Sequence, residues 1–163
     1  MSDEESLIQD INAFVQQQQT LILSTGNRDG KPLASYTPFV QDNSGNFYIF
    51  ISDMAEHSNN IKHAEQHNAE ISVLLIEDEQ QSRNLFARKR LSYQCKVTFI
   101  GREDELWSNL INQFHERFGK IIELLSQLGD FHMYRLIPGR GNFVVGFGKA
   151  YSLEQGKIIH VTK

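Results

Sequence analysis

A mainly β fold with flanking helices, of the α+β class, is predicted by three features of the sequence. Residues 91–100 alternate strictly, with Leu91, Tyr93, Cys95, Val97 and Phe99 set against Ser92, Gln94, Lys96 and Thr98, the period of a strand with one buried face. Residues 46–52 are apolar on both faces, Phe47, Ile49 and Ile51 on one and Tyr48 and Phe50 on the other, as in a strand covered on both sides. Helical spacing occurs elsewhere, first in Leu7, Ile8, Ile11, Phe14 and Val15. About six antiparallel strands with helices at their ends close most easily as a barrel.

The elements follow in order. The N-terminal amphipathic helix is closed by the polar run Gln16, Gln17, Gln18, Gln19. Residues 20–25 and 32–41 read as a hairpin around a turn built from Gly26, Asn27, Asp29 and Gly30. A second turn, from Asp42 to Gly45, leads into residues 46–52. Asp53 with Glu56 three places later fits a capping box, which starts a helix at Met54 running towards Gln66, with N-terminal amides suited to an anion. Residues 71–77 form another apolar strand, followed by residues 91–100. Leu106, Leu110, Phe114 and Phe118 place a helix over residues 103–118, stopped by Gly119, and residues 120–128 form a further helix ended by Gly129. Residues 131–137 and 142–153 are the last strands, around a turn from Pro138 to Gly141.

At 163 residues and 40% hydrophobic content, the chain has the size and composition of one domain. That domain divides into a helix over residues 1–18, a barrel with inserted helices over 19–153 and a tail over 154–163. The acidic start MSDEES and the lack of any apolar run near the roughly 20 residues that span a bilayer point to a soluble, cytoplasmic protein without a membrane partner. Cys95 is the single cysteine, so no internal disulfide forms, and its place in an alternating strand makes it a core thiol. A net charge of -4 with no long basic run argues against nucleic acid as a partner.

Against that acidity, Arg88, Lys89 and Arg90 stand together in FARKRL, and such a cluster asks for an anion. On an extended chain Arg88 and Arg90 share a face and Lys89 takes the other; guanidinium forks suit carboxylates and phosphates alike. In GNFVVGFGKAY, residues 141–151, one face carries Phe143, Val145, Phe147 and Tyr151. Gly146, Gly148 and Ala150 leave the other nearly bare, with room for a planar ligand or a second backbone. A barrel holding a flat, anionic cofactor is the combined expectation. Apolar strand faces also predict a dimer, with residues 46–52 either at the interface or beneath a covering helix. His63 and His67 lie four apart on a helix without the glutamate of HExxH, and they read as exposed polar positions.

Several blocks now carry a resemblance: L-x-L-S-T at Leu21, G-x-P-x-x-S-x-x-P-F from Gly30 to Phe39, FYIFIS, and A-x-H-x-x-N-I from Ala55 to Ile61. In this order they resemble the FMN-binding split-barrel superfamily of pyridoxamine-phosphate oxidases. Within it, IEDE, LFARKRL, the ELW helix, ERFG, LSQLGDF and FVVGFGKAY are similar to the haem-utilisation branch, the HugZ-type proteins. The resemblance implies a homodimeric split barrel with two ligand sites between the protomers. The ligand it implies is haem, degraded oxidatively with iron release, or alternatively FMN in an oxidoreductase; a non-catalytic haem or flavin carrier is a further alternative. The electron donor is not named by the sequence.

The resemblance also implies roles. His57 falls where the flavin enzymes carry a lysine that grips phosphate, in the run His57, Ser58, Asn59, Asn60. A histidine is the weaker grip near neutrality, so the exchange favours haem. Ser52, His57, Asn60, Arg88, Lys89 and Arg90 are the implied cofactor-binding residues. Asp130 is the implied catalytic residue, orienting an iron-bound histidine across the dimer interface. Family members place that histidine in a C-terminal segment, and His160 is the tail histidine available here as the iron ligand. His132, two residues after Asp130, is the lesser alternative to His160 as that ligand.

Overall fold

The structure is a computed structural model that describes residues 2–162, with side chains described to Ile159. Strands β1 (Thr20–Gly26), β2 (Pro32–Pro38), β3 (Val40–Gln41), β4 (Phe47–Ser52), β5 (Glu70–Ile76), β6 (Arg90–Ile100), β7 (Phe131–Gly146), β8 (Lys149–Glu154) and β9 (Lys157–Thr162) form one antiparallel sheet. Its order is β2-β1-β5-β6-β7-β4-β3, with β8 on β7 and β9 on β8. Four helices accompany it: α1 (Asp3–Gln16), α2 (Glu56–Gln66), α3 (Trp107–Phe118) and α4 (Ile121–Gln127). The sheet has nine strands where about six were expected. The pairing path is open, with β2 and β3 at its ends and only Phe39 between them in the chain.

Two cores explain the arrangement. In the first, Ile11, Phe14 and Val15 of α1 pack with Leu21, Leu23, Phe47, Ile49, Leu91 and Phe143 on one face of the sheet. A reciprocal capping box, in which Glu5 donates its amide to Ser2 Oγ and Ser2 donates its amide to Glu5 Oε2, begins that helix. In the second core, Tyr48, Phe50, Ile100 and Met133 pack beneath Leu110, Phe114 and Ile122 of α3 and α4. Strand β4 is therefore buried on both faces because helices cover it, which removes residues 46–52 as an interface candidate. Ile100 is buried by the same helices, while Phe99, on the opposite face, is 45% exposed.

Three local expectations are corrected. Helix α2 begins at Glu56 with Ala55 as its cap and no side-chain capping bond, because the Asp53 carboxylate is turned to His132 instead. Strand β7 runs unbroken through Pro138, which sits opposite Cys95 beside a register shift where β7 carries an extra residue against β6, the kind of place a strand tolerates proline. Three residues on, a Cβ at Gly141 would lie 2.8 Å from the Ser92 carbonyl oxygen and collide with the Tyr93 ring, so the glycine admits a close approach instead of making a turn. The turn falls at Phe147 and Gly148, where Gly148 has φ of 65°, so residues 141–151 form a hairpin and not one strand with a bare face. Finally, residues 32–41 divide at the fully buried Phe39 into β2 and β3.

Burial of unionised polar groups gives the fold an alkaline limit. Burial pushes the Cys95 thiol, the Tyr93 phenol and the Tyr134 phenol each up to about 12, from ordinary values of 9.0 for the thiol and 10.0 for the phenols. In the unfolded chain these groups ionise first, so stability is complete below about pH 9 and declines between about pH 9 and pH 12. Urea midpoints taken at pH 8 and at pH 10.5 are expected to fall with rising pH; a flat series would contradict this account.

Candidate functional site

An apolar cavity of about 490 Å³ lies between β4, the start of α2 and the α3–α4 pair. Phe50, Phe114, Phe118, Ile122, Leu125 and Phe131 supply most of its wall, and Thr37, Ser52 and His57 are its polar members. Its volume lies within the usual range for ligand pockets, about 300–1,000 Å³.

His57 stands in the first turn of α2, with Nδ1 2.9 Å from Ser35 Oγ on β2. Desolvation by burial lowers its pKa from 6.5, so the ring is neutral at pH 7. Ser52 ends β4, and its hydroxyl donates to Asp130 Oδ2 at 2.8 Å while accepting the Met54 amide at 3.1 Å. Asp130 in turn accepts the Asp53 amide on its backbone carbonyl at 2.8 Å. The corner between β4 and α2 is thus tied to the turn before β7, and Asp130 is held at the cavity's Ser52 edge.

Asn60 is buried and points away from the cavity: its amide donates to Thr25 Oγ1 at 3.0 Å, pinning α2 to β1. Arg88, Lys89 and Arg90 gather at the β5–β6 connection and do not line the apolar cavity. Arg88 Nε donates to the Glu77 carbonyl at 2.7 Å, the Lys89 amide to Glu77 Oε1 at 2.8 Å, and Arg90 Nη1 to the Arg88 carbonyl at 2.9 Å. The Lys89 ammonium lies 5.2 Å from the Phe14 ring centre and 5.7 Å from that of Phe143, on the α1 side of the sheet. Beside the arginines a short 3₁₀ turn, Leu85–Ala87, presents Leu85 at 57% and Phe86 at 90% exposure. The backbone of His160 pairs with Ser152 in β9, and its side chain lies outside the described residues.

One pair escaped sequence reasoning. His132 Nε2 lies 2.9 Å from Asp53 Oδ2, with the Phe99 ring edge-on at 6.0 Å. Residues 79 positions apart meet because Ser52 pairs with Phe131 at the end of the β4–β7 ladder. No periodicity in the chain signals that meeting. Among the described residues, no group of three or more His, Cys, Asp and Glu side chains is placed to hold a metal ion, and no helix is long and apolar enough to cross a membrane.

Comparison with known proteins agrees with this architecture. Residues 7–145 match the pyridoxamine 5'-phosphate oxidase family. The chain is 42% identical over 150 residues to heme oxygenase HutZ of Vibrio cholerae serotype O1, covering 92% of this chain and 82% of that protein. The crystal structure of Campylobacter jejuni ChuZ superposes with a TM-score of 0.87 at 32% identity over 99% of this chain, which spans 65% of the ChuZ chain. HutZ from Vibrio cholerae, described in its crystal structure as a haem storage protein, superposes with a TM-score of 0.75 at 42% identity, covering 85% of this chain and 96% of that one. With the family matched across most of its length and HutZ so similar, the chain belongs to the pyridoxamine 5'-phosphate oxidase family and, within it, to the HutZ-type haem-utilisation branch.

Proposed function

We propose that the protein binds haem in a cleft shared by two protomers and, given oxygen and an electron donor, opens the ring and releases iron. One observation carries the choice of ligand: the position where a flavin phosphate would need a cation holds a neutral His57, already bonded to Ser35, on the rim of an apolar cavity. That environment suits the aromatic plate of a porphyrin and disfavours a phosphate. The exposed Leu85 and Phe86 beside Arg88 and Arg90 offer the same pairing at a second place, apolar surface for the plate and guanidinium groups for its carboxylate arms.

Bound haem supplies the oxygen chemistry through its iron; the chain contributes binding, orientation and exclusion of water. In the shared cleft, Arg88 and Arg90 of one protomer pair with the propionates, and His57 and Ser52 of the other border the plate. Lys89 and Asn60 act behind this surface, Lys89 holding α1 and Asn60 holding α2. Asp130, fixed by Ser52, orients the iron-bound histidine, for which His160 is the tail candidate. The second protomer fits the row Tyr36, Ile22 and Leu74, aligned across β2, β1 and β5, where Tyr36 is 66% and Ile22 38% exposed. We take the split barrel to close at the step from β2 through Phe39 to β3.

A non-catalytic carrier is the second reading, favoured by the description of HutZ as a storage protein. Titration of the purified protein with haemin separates the readings. An intense Soret band is expected, bleached on addition of ascorbate in air with appearance of chelatable iron. A stable band under those conditions makes the protein a carrier. No Soret band, together with a yellow protein showing a two-band flavin spectrum after loading with FMN, overturns haem as the ligand.

A further inference from the structure

Helix α2 carries a pair of histidines that the haem reading does not use. His63 and His67 lie one turn apart, where i and i+4 side chains are neighbours, and their ring centres are 4.1 Å apart. His67 Nδ1 is 2.9 Å from the His63 carbonyl oxygen. A carbonyl only accepts, so Nδ1 carries the proton and Nε2 keeps a free lone pair. This is the outer hydrogen bond that fixes the tautomer and aim of a metal-binding imidazole.

We propose that His63 and His67 form a two-histidine chelate for a borderline divalent cation of the copper, nickel or zinc type. Three further features of the molecule favour it. Both residues sit at the C-terminal end of α2, where the helix dipole attracts positive charge. His67 is exposed, and His63 borders an open polar groove of about 660 Å³ between α2 and the β1–β2 turn, which leaves coordination positions for water. The donors are imidazoles, and the charges lining the groove are mixed, the carboxylates of Asp29 and Glu56 with the cations of Arg28 and Lys62. Hard cations such as magnesium and calcium prefer oxygen cages and gain little there, whereas copper and nickel bind imidazole strongly. Unlike an HExxH helix, this one has Ala64 directly after its first histidine and its glutamate, Glu65, one place later, so the general base of that motif is not in its position.

The test uses the full chain without haem and copper(II) or nickel(II) alone, followed by calorimetry and by the ligand-field absorbance of copper. One ion per chain is expected for the unmodified protein. His63→Gln and His67→Gln should each weaken binding about tenfold or more, while His115→Gln, a surface histidine on α3 paired with Glu123, should leave it unchanged. The His67 side chain is exposed, so its replacement keeps the measurement informative should His63→Gln perturb the helix. Copper binding as tight in both variants as in the unmodified protein, or equal binding of magnesium, would overturn the site. Haem binding is read separately through the Soret band, so failure of either proposal leaves the other intact.

Discussion

Replacing Phe143 by alanine is expected to destabilise the protein by about 3–5 kcal/mol, the range for truncating a fully buried aromatic side chain. Phe143 has no exposed surface and lies in β7 between Leu91 of β6 and Tyr151 of β8, the meeting point of three strands. Its ring is 5.9 Å from that of Phe14, the one aromatic residue of α1, and the Lys89 ammonium rests over both. Truncation leaves a cavity, loosens the seat of α1 and strips Lys89 of one aromatic face. Urea unfolding measures the loss. A double-mutant cycle with Phe14→Ala should show the two losses to be non-additive, since each ring contacts the other. A loss below about 1 kcal/mol for Phe143→Ala would show that the helix is not anchored where the contacts place it.

The sequence reads well where one side chain in two faces the core. Period-two alternation located β6, the helical spacing of Ile11, Phe14 and Val15 located the buried face of α1, and the doubly apolar FYIFIS announced a strand covered on both sides. What covers it was not legible, because a strand looks the same beneath a helix of its own chain and beneath a partner. Glycine and proline misled at Pro138 and Gly141, where the usual turn residues serve a bulge and a close approach instead. The site was legible in part. His57 is neutral through its burial and meets Ser35, 22 positions away, while the Asp53–His132 pair depends on ladder register. Arg88 and Arg90 were visible as charge, but their bonds to the carbonyls of Glu77 and Arg88 belong to the folded connection.

Exchange of Asp130 for asparagine is expected to lower the rate of haem degradation and the affinity for haem by about 10–100-fold, the usual cost of losing the carboxylate behind a metal-bound histidine. The exchange is chosen because asparagine has the same size and keeps an oxygen to accept the Ser52 hydroxyl, now 2.8 Å from Asp130 Oδ2. The backbone bond from the Asp53 amide to the Asp130 carbonyl is untouched by any side chain at this position. Thermal stability should therefore move by only a few degrees, consistent with a change worth about 1 kcal/mol or less. A merely structural aspartate would leave the spectrum of bound haem alone. An orienting carboxylate does the reverse, because it raises the basicity of the iron-bound imidazole, and the Soret maximum and the rate of haem loss report that directly. Ser52→Ala, which releases Asp130 from its fixed rotamer while keeping the charge, should give an intermediate effect. If Asp130→Asn leaves the Soret maximum, haem loss and degradation unchanged, the carboxylate serves only to lock the β4–α2 corner, and the orienting role passes to another group.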